Sequence, residues 1–297
     1  MNIQQLRYVI AVANSGSFRE ASKKLFITQP SLSNGIKELE AEVKISLFTR
    51  TNRGAYLTEE GKEFLAGAEK IIEQMELFEN RYHNQEVSDT FSIASQHYDF
   101  LGTLVAELLA ETSASIKKFR IHETTTGTVI EDVRNFYSEI GLIYLNEHNR
   151  AGIKRYLEQA ELDYFAVGDF QTHIFLGKQH PLAEQKEIRL TELVGYPQVR
   201  FTQDGSNFPY FAEDLVEIPE QEQVIYTSDR GTLVNILTAT DAYASGSGLV
   251  IGPAKEVIRL IPLAESPSNT FYIIHSRKRP LSPVAQQFIK KFQQIIK

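Results

Sequence analysis

The sequence predicts three parts in order: a small, mainly helical unit over residues 1–58, a long helix over 59–87, and a two-lobed α/β domain over 88–297. The first part follows from apolar residues at helical spacing, with short β-rich runs behind them. The second follows from a sustained heptad pattern, and the third from strands that alternate with helices. A length of 297 residues also suits more than one domain.

Charge is unevenly distributed, although the formal net value of the chain is −7. Residues 1–58 carry eight lysines and arginines against four glutamates, whereas residues 59–297 carry 23 basic and 34 acidic side chains. This asymmetry favours a localised polyanion-binding unit at the start of the chain. An ordinary solvated face is the alternative explanation.

Composition argues against several classes of protein. No apolar run approaches the ~20 residues that cross a bilayer, and the first ten residues do not resemble a secretory signal. The chain has no cysteine, which excludes disulfides and thiolate metal sites and is compatible with the cytoplasm. We therefore expect a cytoplasmic protein that needs no membrane, metal or cofactor.

Residues 1–58 predict two short helices joined by a tight turn. Ser17 and Glu20 have the spacing of a capping box at the start of the first helix. Thr28 fits the N-cap of the second helix, and Pro30 is tolerated in its first turn. Such a pair forms a helix-turn-helix, whose second helix fits the DNA major groove. A small helical core with an ordinary polar surface is the alternative.

The second helix and the segment behind it supply candidate DNA contacts. Amide and hydroxyl groups read base edges, and cationic groups also hold phosphates. Runs at 47–50 and 55–57 predict two strands with a turn between them, which together make a wing. The candidates are Gln29, Ser31, Ser33, Asn34 and Lys37 on the helix, with Arg50 and Arg53 on the wing.

A narrow apolar stripe runs along the predicted long helix, which Thr58 can cap. Its members recur in alternating steps of three and four residues, as in a helix–helix seam. A DNA-reading helix-turn-helix usually acts as a two-fold pair, so we expect a dimer, with a helix packed on its own domain as the alternative. The stripe consists of Leu57, Gly61, Phe64, Ala68, Ile71, Met75, Phe78 and Tyr82.

The N-terminal motifs resemble, without a gap from residue 6 to about 65, the signature of the LysR-type transcriptional regulators. The resemblance implies DNA contacts, a dimerising linker helix and assembly to a dimer or tetramer. The family usually carries arginine where this chain has Asn34, which can pair with adenine or merely fill space. The matching motifs are Ser17-Phe18, Thr28-Gln29-Pro30-Ser31-Leu32-Ser33, Leu47-Phe48, Arg50 and Leu57-Thr58-Glu59-Glu60-Gly61. The residues implied at the DNA interface are Gln29, Pro30, Ser31, Ser33 and Arg53.

Strands and helices alternate beyond residue 89, which indicates βαβ units and parallel sheets. The expected strands are 90–95, 119–124, 140–145, 164–167, 174–176, 199–202, 224–227, 249–252 and 271–274. The expected helices are 100–111, 129–137, 208–217, 231–240 and 283–296.

Polar residues follow several of these strands, where ligands of open α/β sheets bind. Each cluster adjoins a helix N-terminus, which favours an anionic or zwitterionic metabolite, although plain helix capping is the alternative. The family likeness continues more weakly here. It implies a periplasmic-binding-protein-like domain with lobe I over 88–162 and 267–297, lobe II over 163–266, and an effector between them. By that likeness the effector residues are Ser95, Gln96, Thr124, Thr125, Thr202, Ser228 and Gly246.

Catalytic motifs are missing from the sequence. Residues 244–248 do not fit the Gly-x-Ser-x-Gly nucleophile elbow, and His97 suits a polar pocket lining better than catalysis. We therefore expect no enzyme, but an effector-controlled transcriptional regulator that binds a pseudo-palindromic operator and contacts RNA polymerase. The alternative is a solute-binding or enzymatic α/β protein whose N-terminal helices only mediate assembly.

Overall fold

A computed structural model describes residues 1–51, 54–83, 90–112, 116–203, 211, 213, 215 and 222–296. The chain divides into two compact units, residues 1–86 and residues 87–297. None of the helices in the described ranges combines the length and apolar character that crossing a bilayer requires.

Three helices and a hairpin build the core of the N-terminal unit. Leu32, Ile36 and Leu39 are fully buried and pack with Val9 and Val12, so the predicted apolar stripe of the third helix faces inward. The elements are α1 (Ile3–Ser15), α2 (Phe18–Lys24), α3 (Gln29–Val43), β1 (Phe48–Thr51), β2 (Gly54–Leu57) and α4 (Glu59–His83).

Of the helix caps predicted for α2 and α3, the one at α3 is present in the structure and the one at α2 is not. The Thr28 hydroxyl accepts a hydrogen bond from the backbone N–H of Ser31 at 3.3 Å, which confirms the predicted cap of α3. The capping box predicted at Ser17 is wrong, because that side chain makes no cap hydrogen bond and the Glu20 carboxylate instead accepts from Lys23 at 2.8 Å.

Helix α4 begins as predicted. The Thr58 hydroxyl accepts from the backbone N–H of Gly61 at 2.9 Å and so caps the first turn. The helix then runs for 25 residues, well beyond the other helices of the unit.

The C-terminal unit contains two five-stranded sheets with helices packed on them. Its strands are β3 (Thr90–Ser95), β4 (Lys118–Glu123), β5 (Ile140–Leu145), β6 (Leu162–Phe170), β7 (His173–Gly177), β8 (Gln198–Phe201), β9 (Val224–Thr227), β10 (Tyr243–Gly246), β11 (Ile258–Pro262) and β12 (Asn269–Ser276). Its helices are α5 (Phe100–Thr112), α6 (Thr126–Arg134), α7 (Arg150–Gln159), α8 (Arg230–Ala239) and α9 (Pro283–Ile296).

Each sheet forms one lobe. The first lobe has the strand order β4-β3-β5-β12-β6, and the second has the order β11-β7-β10-β8-β9. In the first lobe β3 pairs in parallel with β4 and β5, whereas β12 returns from the second lobe and pairs antiparallel with β5 and β6. The sheets are therefore mixed, and the expectation of parallel sheets holds only for some of the pairs.

The lobes divide at a different residue from the one expected. Strand β6 belongs to the first sheet over its whole length, so the chain leaves that lobe after Phe170 and not near residue 163. The return lies between β11 and β12, in the expected region.

Four elements of the C-terminal unit differ from the sequence prediction. The strand expected over 249–252 is wrong: Gly252 within it and Gly248 just before it adopt φ values of 103° and 73°. Strands β10 and β11 and helix α7 were not predicted. The helix expected over 208–217 lies largely outside the described residues.

Candidate nucleic-acid interface and ligand cleft

The N-terminal half of α3 exposes a row of polar side chains. Ser31 lies there with its hydroxyl 2.8 Å from that of Thr28, so the cap orients it. Opposite this row the helix is anchored in the core by its buried leucines and isoleucine. The exposed residues of the predicted set are Gln29, Pro30, Ser31, Asn34 and Lys37.

Ser33 differs from the rest of the predicted set. It is only 8% exposed, because it stands three residues before the buried Ile36 and so borders the core stripe. The base contact expected of Ser33 stays a prediction, and one that its burial disfavours.

The wing is attached to both α1 and α3. The backbone N–H of Ala55 donates to the carbonyl of Gly16 at 2.8 Å, and Glu40 accepts from the N–H of Leu47 at 2.7 Å. Arg50 lies in β1 opposite Ala55, and Arg53 falls outside the described residues. The hairpin is therefore held at the end of α1 by a backbone hydrogen bond and beside α3 by the Glu40 carboxylate.

The heptad stripe of α4 has two different halves. Ala68 is 2% exposed and the backbone of Gly61 lies against the carbonyl of Leu47, so the first half packs on its own unit. Ile71 and Phe78 of the second half, which we call the open half, are 44% and 61% exposed. Packing on its own unit therefore holds for the first half of the stripe, whereas dimerisation through the open half stays a prediction.

A narrow cleft of about 50 Å³ lies between the two lobes of the C-terminal unit. Its polar floor is held by Gln96, whose Nε2 donates to the Thr126 hydroxyl at 2.6 Å. The amide oxygen of Gln96 accepts from the Tyr98 hydroxyl at 2.6 Å and from the backbone N–H of Tyr144 at 3.0 Å. The aromatic side chains that line the cleft are Tyr98, Tyr144, Phe170, Phe175 and Phe201.

Ion pairs bridge the cleft between the two lobes. Arg230, at the start of α8, contacts the carboxylates of Asp99 at 3.2 Å and Glu123 at 2.8 Å. His97 Nδ1 lies 2.9 Å from a carboxylate oxygen of Glu213, and the imidazole stacks on Phe201 at 4.0 Å between centroids. Burial raises the pKa of Asp99 and of Glu123, and the nearby guanidinium offsets this rise only in part.

Two of the predicted effector residues, Gln96 and Gly246, line this cleft. Ser95 is fully buried, and its hydroxyl has no hydrogen-bond partner among the described residues. Thr125 caps α6 by accepting from the N–H of Thr128 at 3.4 Å, as the capping alternative supposes. The remaining three, Thr124, Thr202 and Ser228, follow strands β4, β8 and β9 and are not part of the lining.

The charged residues Asp99, Glu123 and Arg230 are not among those predicted from the sequence for the effector site. The available signal was weak: Arg230 follows the Ser228-Asp229 cap, and Asp99 precedes α5. Their pairing depends on how the two lobes face each other, which local spacing does not encode.

Comparison with known proteins places both units in one family. Residues 3–62 match the bacterial regulatory helix-turn-helix protein, lysR family, and residues 85–295 match the LysR substrate binding domain. The chain belongs to the LysR family. This confirms the resemblance, the helix-turn-helix with a two-lobed α/β domain, and the role of transcriptional regulator.

Relatives of this LysR-family chain are named as regulators. It is 31% identical over 258 residues to the nitrogen assimilation regulatory protein nac of Escherichia coli K12, covering 85% of this chain and 78% of that protein. It is 26% identical over 305 residues to the Hca operon transcriptional activator HcaR of the same organism, covering 99% and 98%. Neither relative is named as an enzyme, in agreement with the expected non-enzymatic function.

A solved structure shares the fold. CbnR, a LysR family transcriptional regulator, superposes with a TM-score of 0.64 over 100% of both chains at 17% sequence identity. The alternative of a solute-binding or enzymatic protein with assembly helices conflicts with the family match over residues 3–62.

Proposed function

We propose that this LysR-family protein binds a pseudo-palindromic operator through α3 and responds to a small molecule held in the cleft. The observation that carries the DNA-binding part is the exposed polar half of α3 beside the wing. A helix of this kind fits the major groove, and its amides and hydroxyls meet base edges there.

The contacts divide by chemistry. Gln29 and Asn34 carry amides that bond to adenine, so they are the proposed base readers. Lys37 and Ser31 are proposed to contact the sugar-phosphate backbone, as are Arg50 and Arg53 of the wing. Pro30 contributes by fixing the first turn of the helix.

The protein is proposed to act as a homodimer or homotetramer. The exposed Ile71 and Phe78 of α4 support this, because burying such side chains against a second copy stabilises the pair. Two copies of α3 then face two half-sites, as two-fold symmetry of the operator requires.

An effector in the cleft would change the relative position of the lobes, and so the arrangement of the assembled copies on DNA. The helix N-termini beside the polar clusters of the sequence favour an anionic or zwitterionic metabolite. Contact with RNA polymerase and a cytoplasmic location are proposed because a regulator acts where transcription occurs.

The experiment is salt-dependent binding of the full chain to duplexes selected from a random library, measured by fluorescence anisotropy. Lys37→Gln should weaken binding and make the slope of log K against log salt shallower by about one. Lys178→Gln, which removes an exposed lysine from the second unit, should leave both unchanged. Failure to select any binding duplex in dilute buffer would overturn the proposal, and an unchanged slope would remove Lys37 from the interface.

A further inference from the structure

The ligand cleft carries more negative than positive charge. Asp99 and Glu213 line it, and Glu123 contacts the same guanidinium as Asp99. Arg230 is the one lysine or arginine among the described residues of the lining. Three carboxylates therefore face one guanidinium and the His97 imidazole.

The guanidinium is already engaged by protein groups. Its Nη2 donates to one carboxylate oxygen of Glu123 at 2.9 Å, and its Nε lies within ion-pair distance of the other oxygen, at 2.8 Å. Nη1 lies 3.2 Å from Asp99. An anionic ligand at this guanidinium would lie beside the carboxylates of Asp99 and Glu123 and meet them as like charges.

Aromatic rings complete the lining. Tyr98, Tyr144, Phe170, Phe175 and Phe201 all border the cleft, and the faces of such rings attract cations. Rings next to carboxylates form an arrangement that suits an ammonium or guanidinium group attached to an apolar body.

We propose that the effector of this protein is an organic cation, with its charged group against Asp99 and Glu123 and its apolar body against the aromatic rings. The inference rests on the proposed function of the cleft, and it replaces the expectation of an anionic or zwitterionic metabolite. Burial raises the pKa of both carboxyls despite Arg230, and a bound cation would stabilise their charged forms.

The test is thermal unfolding of the full-length protein with ligands of one skeleton and different charge. The probes are 2-phenylethylamine, 2-phenylethanol, 3-phenylpropanoate and phenylalanine, with hexylamine, hexanol and hexanoate as an aliphatic series. At equal concentration at least one amine should raise Tm by about 3 °C or more, because a ligand stabilises the fold it binds. The matching alcohols, acids and phenylalanine should raise it less.

Variants assign the effect to the cleft. Asp99→Asn and Glu123→Gln should each weaken binding of the active amine at least ten-fold in calorimetric titration. Asp163→Asn is the matched control, because its exposed carboxylate also pairs with an arginine, Arg277, at 2.9 Å. If one cleft variant does not fold, as judged by circular dichroism, the other carries the test.

Two outcomes would overturn the inference. One is an acid or phenylalanine that raises Tm as much as the matching amine, and the other is a panel in which no amine raises Tm. Operator binding is measured on the same preparations. Intact DNA binding in either case means that only the charge class is wrong, whereas loss of DNA binding by the unmodified protein counts against the proposed function itself.

Discussion

The Nδ1 atom of His180 accepts a hydrogen bond from the backbone N–H of Leu182 at 3.0 Å. The Nε2 atom lies 3.1 Å from the carbonyl oxygen of Asp241, to which it donates. These two bonds assign the neutral tautomer with its proton on Nε2, since Nδ1 cannot accept once it is protonated. Burial lowers the pKa of His180, and the hydrogen bond to Asp241 opposes this only in part.

Acid should therefore destabilise the C-terminal unit through His180. The pKa in the folded state lies below that in the unfolded state, so the contribution is fully present above about pH 6.5 and is lost as pH falls through the folded pKa. Urea unfolding between pH 5 and 8 should show a shallower loss of stability for His180→Asn than for the unmodified protein. His148→Asn, at an exposed histidine, is the control for removal of an imidazole.

The cap of α3 should contribute measurably to stability. Thr28→Ala removes the hydroxyl that accepts from Ser31, and we expect a loss of about 1 kcal/mol in the free energy of unfolding. Thr28→Ser keeps the hydroxyl and should lose little. Urea denaturation measures both variants, and equal stability of Thr28→Ala and Thr28→Ser would mean that the cap contributes nothing.

The close approach of the wing to α1 should not tolerate a side chain. A Cβ atom at Gly54 would lie 2.6 Å from the carbonyl oxygen of Gly16, and its φ of 144° strains any other residue. Gly54→Ala should therefore lower Tm and weaken DNA binding. Gly67→Ala is the control, because Gly67 has open space around it within α4 and should keep or raise Tm. A Gly54→Ala protein with unchanged Tm would contradict the described contact.

Assembly should depend on the open half of the α4 stripe. Ile71→Lys and Phe78→Lys each place a charge where we propose a seam, and should raise the dissociation constant of the dimer about ten-fold or more. Glu69→Lys changes charge at an exposed position outside the stripe and should have a much smaller effect. Sedimentation velocity over a concentration series measures all three, and identical profiles would exclude this seam.

Much of the N-terminal unit is predictable because its signals are local. The Thr28 cap, the Thr58 cap and the buried stripe of α3 each depend on residues within a few positions of one another. The failure at Ser17 has the same origin, since Glu20 has a competing local partner in Lys23. Local spacing shows which partners are available but does not decide between them.

The C-terminal unit is less predictable because tertiary contacts decide it. Helix α7 buries only Ile153 and Leu157, which is too few apolar residues for a clear helical pattern. Of the cleft residues found from the sequence, Gln96 directly follows β3 and Gly246 is the last residue of β10. The charged ones meet only when the lobes face each other, so no spacing along the chain reveals them.

The close contact of Gly61 with Leu47 fixes how α4 leaves the core of its unit. Its backbone lies directly against Leu47, and the neighbouring Thr58 hydroxyl donates to the carbonyl of Ser46 at 2.6 Å, so α4 leaves the core without a flexible hinge. With 25 residues at ~1.5 Å per residue, α4 is a stiff helix about 38 Å long. One extra residue just before the proposed seam would rotate that seam by about 100° relative to the core. In the proposed dimer this rotation would change how the two copies of α3 face their half-sites.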